Sequence, residues 1–98
     1  MTHVYLDHAA STPLDPRAFE AMRPYFSIQY GNPSSVHFLG QQSEAAVEQA
    51  RETSARVLGA IPEEIVFTSC GTESDNIAIR GAAFSARLSR GANHILTT

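Results

Sequence analysis

Apolar positions along this chain fall into short runs and helical stripes, and the changes between them mark out its elements. Val4-Tyr5-Leu6 is a brief apolar run that gives way to the small, polar Asp7-His8-Ala9-Ala10-Ser11-Thr12-Pro13, an extended entry leading into a loop. Asp15-Pro16 predicts a helix start, with Asp as N-cap and Pro at the first helical position. That helix runs through Phe19, Met22 and Arg23 and is stopped or kinked by Pro24, whose ring removes a helical donor. Gly31-Asn32-Pro33-Ser34-Ser35 is a loop by turn chemistry. The longest helix is expected over about 43–58, where Val47, Ala50, Ser54, Val57 and Leu58 fall on one stripe. Glu44, Glu48, Arg51, Glu52 and Arg56 lie largely outside it as a solvated face, with Glu52 and Arg56 spaced to pair. Gly59 suits the C-cap, and Pro62 lies just past it.

The second half changes character. Residues 65–68 form a short apolar run predicted to be a strand, and a helix with an apolar seam of Ile77, Gly81, Phe84 and Leu88 follows. Arg87 and Arg90 stand near its C-terminus, where the helix dipole favours cations, and Gly91 ends it. Residues 94–98 then read as a second strand. Strand, helix and strand in that order predict a right-handed βαβ unit with parallel strands. Parallel sheets need several strands and cover on both faces, so the expected class is α/β and the 98 residues read as the front of a larger domain. Phe19, Met22, Ile77, Phe84 and Leu88 are core candidates.

Composition narrows the function. The chain is 43% hydrophobic and 17% charged, which is globular rather than disordered material. A net charge of −3 offers no basic surface for nucleic acid or an anionic membrane. No apolar run matches a membrane span and no signal-peptide pattern opens the chain, so the cytoplasm is the default location. One cysteine excludes an internal disulfide and the multi-cysteine zinc patterns, and four histidines without HxH or HExxH spacing make no metal motif. All seven basic residues are arginine. Without lysine there is no P-loop, and imine chemistry by a lysine of this chain is excluded.

The segment from Glu64 to Ile77 carries the most chemistry. Strand, glycine turn and helix start place unpaired backbone N–H groups and positive dipole charge at one point, which suits a phosphate. Gly71 lets the backbone approach closely, and the hydroxyls of Ser69 and Thr72 can add donors.

Three segments in order resemble the NifS/IscS-type cysteine desulfurases of the class V aminotransferase superfamily. They are Tyr5-Leu6-Asp7-His8-Ala9-Ala10-Ser11-Thr12-Pro13, Gly31-Asn32-Pro33-Ser34-Ser35-Val36-His37 and Phe67-Thr68-Ser69-Cys70-Gly71-Thr72-Glu73-Ser74-Asp75-Asn76. The resemblance implies the fold-type I pyridoxal 5'-phosphate-dependent transferase architecture. Residues 1–98 would be its N-terminal part: entry segment, helices and the first βαβ unit of the large-domain parallel sheet. It implies a homodimeric enzyme that removes sulfur from L-cysteine, leaving L-alanine and a persulfide for an iron–sulfur scaffold or another acceptor. By position, Gly71 and Thr72 match the pair that holds the cofactor phosphate. Ser69-Cys70-Gly71-Thr72-Glu73-Ser74 is similar to the nitrogen-fixation branch in particular. The family's stacking histidine, Schiff-base lysine, carboxylate-binding arginine and sulfur-accepting cysteine would all fall beyond Thr98, so no catalytic residue is expected within this span and the 98 residues alone are expected to be inactive. A selenocysteine lyase or other class V enzyme shares the same turn, and a non-catalytic interaction module is the reading from another class.

Other residues have plainer roles. Cys70 sits where a helix dipole lowers a thiol's pKa, but a bound phosphate would crowd it, and the family's acceptor cysteine lies on a distant loop. Asp7 and His8 are adjacent in an extended segment and so point apart, which favours loop packing over a general-base pair. His37 is open between a substrate or partner contact and a structural role. Glu73 and Asp75 fit capping of the helix that Gly71 opens.

Overall fold

A computed structural model describes residues 3–97 of the chain. The chain divides after Pro62 into two units, Met1–Pro62 and Glu63–Thr98.

In the first unit the entry segment turns at residues 8–10, held by the Asp7 carbonyl. That oxygen accepts from the Ala10 and Ser11 amides at 3.1 and 3.3 Å and from the Tyr5 hydroxyl at 2.9 Å. The Tyr5 and His8 rings meet edge to face at 5.0 Å. Helix α1 spans Pro16–Met22, opened as predicted by Asp15, whose carboxylate accepts from the Arg17 amide at 2.8 Å. The Arg17 guanidinium also grips that carboxylate, at 3.1 and 2.8 Å, and these bonds hold Asp15 below its usual carboxyl range. Pro24 does not end the chain's winding but tightens it into a 3-10 turn over Arg23–Phe26.

Helix α2 spans Phe38–Leu58, starting five residues before the predicted boundary. Its N-cap is His37, an unusual residue for the position, whose Nδ1 accepts from the Gly40 amide at 3.4 Å. The early start depends on Gly40, because a Cβ there would run into the carbonyls of Ser35 and Asn32. Gly31 is held the same way against the Leu39 carbonyl. The Gly31–Ser35 loop therefore packs backbone to backbone on the first turn of α2. The covered face of α2 follows the predicted apolar stripe only in part. Gly40, Ser43 and Ala55 are buried and Val47, Arg51 and Ser54 half-buried, whereas Ala50, Val57 and Leu58 are exposed. At Gly40 the missing side chain is what lets the loop backbone approach closely. The expected Glu52–Arg56 pair gives way to a bond from Arg56 to the Thr53 hydroxyl at 3.3 Å, while Arg51 pairs with Glu48 at 3.2 Å. Gly59 closes α2 in the left-handed region at φ 68°, as its position predicts.

In the second unit α3 spans Gly71–Arg90 and is closed by Gly91 at φ 67°. Among the described residues no strand forms, which corrects the predicted strands at 65–68 and 94–98; Thr98 itself lies outside the described residues. A parallel strand is defined by a continuous ladder with neighbouring strands, and no such ladder runs along either segment among the described residues. The core candidates are corrected too. Phe19, Met22, Ile77, Phe84 and Leu88 are all exposed, Leu88 at 87%. Burying an amphipathic helix takes a second layer, and neither unit contains one.

Candidate functional site

Three residues that the sequence singles out come together at the start of α3. Cys70 is its N-cap in extended conformation, and Gly71 and Thr72 are its first two helical residues. The first amide to donate back into the helix is that of Ser74, to the Cys70 carbonyl at 3.1 Å. The amides of Gly71, Thr72 and Glu73 precede it, so the helix's own ladder does not use them, as at every helix start. Gly71 adds open space, since a Cβ built there meets nothing within 4 Å.

Around these amides the side chains form two locks. Glu73 reaches back with its carboxylate to Ser69, accepting from the backbone N–H at 2.6 Å and from the hydroxyl at 2.8 Å. These two bonds hold the Glu73 carboxyl below its ordinary range. Glu73 thus caps the helix, as expected, although it reaches past the N-cap to the residue before it. The same bonds engage both donors of Ser69, its hydroxyl included. The second lock joins Thr68 and Ser74, whose hydroxyl oxygens lie 2.6 Å apart and each 3.3 Å from the Cys70 carbonyl oxygen. Nothing in sequence spacing marked this pair. Asn76 back-bonds to the Thr72 carbonyl at 2.8 Å.

Cys70 is exposed and makes no capping hydrogen bond. Its thiol is nevertheless drawn below the ordinary range, first by the Glu73 amide, then by the Ser69 hydroxyl and the Thr72 amide and hydroxyl. The Ser69 hydroxyl has one proton, and the 2.8 Å bond to Glu73 competes better for it than a 3.8 Å approach to the Cys70 sulfur. The amide contributions remain, and they identify the turn as a place where negative charge is favoured.

The rest of the second unit offers little chemistry. An open apolar groove of ≈ 300 Å³ runs beside Phe84, Arg87, His94 and Ile95, away from the helix start. Among the described residues no group of three or more His, Cys, Asp or Glu side chains could hold a metal ion. No helix among them is long and apolar enough to cross a membrane. In the first unit His37 serves as the cap of α2, and the Asp7-His8 pair belongs to the entry turn described above.

Comparison with known proteins gives this geometry its context. The family described as aminotransferase class-V matches residues 4–98. The chain is 50% identical over 95 residues to a cysteine desulfurase IscS of Dictyoglomus turgidum, covering 97% of this chain and 24% of that protein. It is 52% identical over 98 residues to a cysteine desulfurase of Nostoc sp. strain PCC 7120, covering 100% of this chain and 24% of that one. Among solved structures it superposes on a NifS-like protein with a TM-score of 0.82 at 41% identity, over 89% of this chain and 24% of the other. The chain therefore spans about a quarter of the length of the relatives it matches, and its fold is that of the corresponding quarter. With a family match that runs from Val4 to the last residue, this chain belongs to the class-V aminotransferases.

Proposed function

We propose that this chain supplies the phosphate-binding turn of a pyridoxal 5'-phosphate-dependent cysteine desulfurase. Residues 1–98 would be the N-terminal part of its fold-type I domain. The intact enzyme would be a cytoplasmic homodimer that takes sulfur from L-cysteine, leaves L-alanine and passes a persulfide to an iron–sulfur scaffold or another acceptor. One observation carries the reading: the helix-start amides and open glycine at the beginning of α3 occur in a chain half identical to proteins named cysteine desulfurase.

The residues present fit the cofactor's phosphate. Gly71 and Thr72 would hold it through their amides and the Thr72 hydroxyl, and the missing Cβ at Gly71 leaves room for it. The α3 dipole adds to that attraction, and the carboxylate of Glu73 is tied to Ser69 by its two hydrogen bonds. When bound, the cofactor supplies an electron sink for the substrate's α-carbon. This chain's part is to bind and orient it; with no lysine, none of its side chains can anchor the cofactor covalently through an amine.

The test joins these 98 residues to the remaining three quarters of the Nostoc relative and measures retention of pyridoxal phosphate by equilibrium dialysis. Thr72→Ala is expected to weaken binding by about 1.5–3 kcal/mol, the usual worth of a hydrogen bond to a charged group. Unchanged affinity would remove Thr72 from the site. The 98-residue chain alone is expected to release no alanine from cysteine, and measurable release would overturn the division of labour proposed.

A further inference from the structure

We infer that Thr68 and Ser74 are positioning residues for the phosphate: their paired hydroxyls fix the peptide between Cys70 and Gly71 and so aim the Gly71 amide. The inference rests on the reading of the site given above and extends it to two residues that would not touch the cofactor.

The peptide group is planar. The Cys70 carbonyl and the Gly71 N–H belong to one rigid plane and point in opposite directions, so whatever fixes the oxygen fixes the donor. Three groups of the chain surround that oxygen: the Ser74 amide at 3.1 Å and the hydroxyls of Ser74 and Thr68, each at 3.3 Å. Two hydroxyls carry two protons. One proton is used between them, across 2.6 Å, which leaves one for the carbonyl. Thr68 and Ser74 therefore act as a single relay, in either direction, with the Cys70 oxygen at its end.

A serine hydroxyl that bonds to the carbonyl four residues back is common in this chain. Ser43, Ser54 and Ser89 do the same, at 3.1, 2.9 and 2.7 Å, and those bonds point to no ligand. The start of α3 differs because a residue outside the helix joins the bond. Thr68 lies two residues before the N-cap, so the relay ties the incoming chain to the first turn of the helix. Cys70 cannot do this itself, since its side chain makes no cap bond, unlike Asp15 at α1 and His37 at α2. The Glu73–Ser69 bonds restrain the neighbouring residue but not this peptide plane. A phosphate needs donors that converge on one point, and only a fixed plane holds the Gly71 amide in register with that of Thr72.

The experiment uses the joined full-length protein and two probes, pyridoxal 5'-phosphate and pyridoxal, which lacks the phosphate. Thr68→Val and Ser74→Ala are each expected to weaken pyridoxal phosphate by about three- to tenfold, as for loss of one supporting hydrogen bond. Pyridoxal binding should change by less than about twofold, because the relay acts on the phosphate alone. Thr68→Ser and Ser74→Thr keep the hydroxyls and should restore affinity. The double variant should be no weaker than either single one, as for two residues acting as a unit. Equal weakening of both probes, strict additivity, or no effect at all would each overturn the inference. Loss of phosphate affinity on Thr72→Ala, with Thr68→Val and Ser74→Ala unaffected, would sink the relay and leave the site standing. Indifference to all three substitutions would sink the site itself.

Discussion

At the scale of single residues, the turn at 68–74 is a set of donors and acceptors arranged around one helix start. The amides that face Cys70 stabilise its thiolate, so its pKa lies below the ordinary thiol value. A depressed folded-state pKa means that this stabilisation is present above the unfolded thiol's pKa and is lost as pH falls through the folded one. Alkylation of Cys70 by iodoacetamide should therefore reach half its plateau rate at a lower pH than in the urea-unfolded chain; coincident profiles would refute the shift. Glu73 obeys the same sign. Its bonds to Ser69 strengthen the turn above the ordinary glutamate range, and that support fades as pH falls through the lowered folded-state value. Amide exchange at Ser69, corrected for its intrinsic pH dependence, should lose protection in acid, and in Glu73→Gln that acid step should vanish.

Elements show where local signals suffice and where they do not. Asp15-Pro16, Gly59 and Gly91 set helix ends that the sequence predicts correctly, because capping is chemistry within a few residues. The start of α2 is different. It depends on Gly40 and Gly31 fitting under loop carbonyls that only folding brings close, and His37 gives no standard cap signal. Gly40→Ala should cost about 1–3 kcal/mol, the range for overpacking, read as a lower denaturant midpoint of the joined full-length protein. Gly81→Ala in the exposed middle of α3 should gain about 0.5–1 kcal/mol, since a Cβ there meets nothing within 4 Å. Neutrality at Gly40 would show that backbone approach does not govern the start of α2, and a loss at Gly81 would show that its face of α3 is packed.

For the molecule as a whole, the decisive fact is how little is buried. Among the described residues the buried side chains are those of Ala55 and Ser43, while Val36, Leu88 and Leu96 stand 91%, 87% and 96% exposed. Cooperative unfolding needs a shared apolar core, so the 98-residue chain by itself should melt gradually, without a sharp calorimetric peak, and should bind a hydrophobic dye such as ANS. A sharp, two-state transition would contradict that expectation. The same shortage explains the missing strands and the uncovered seam of α3: apolar periodicity identifies a face that seeks cover, but not what covers it.

The sequence by itself determined the family, the helix ends capped by Asp15, Gly59 and Gly91 and the position of the Gly71-Thr72 turn, because motifs and caps are written in neighbouring residues. Only the tertiary structure decided which face of α2 is covered, that Ser69 is committed to Glu73, and that Thr68 meets Ser74 across the turn. Those outcomes depend on backbone approach and on a competition for single protons, and both are settled by distances that residue order does not encode.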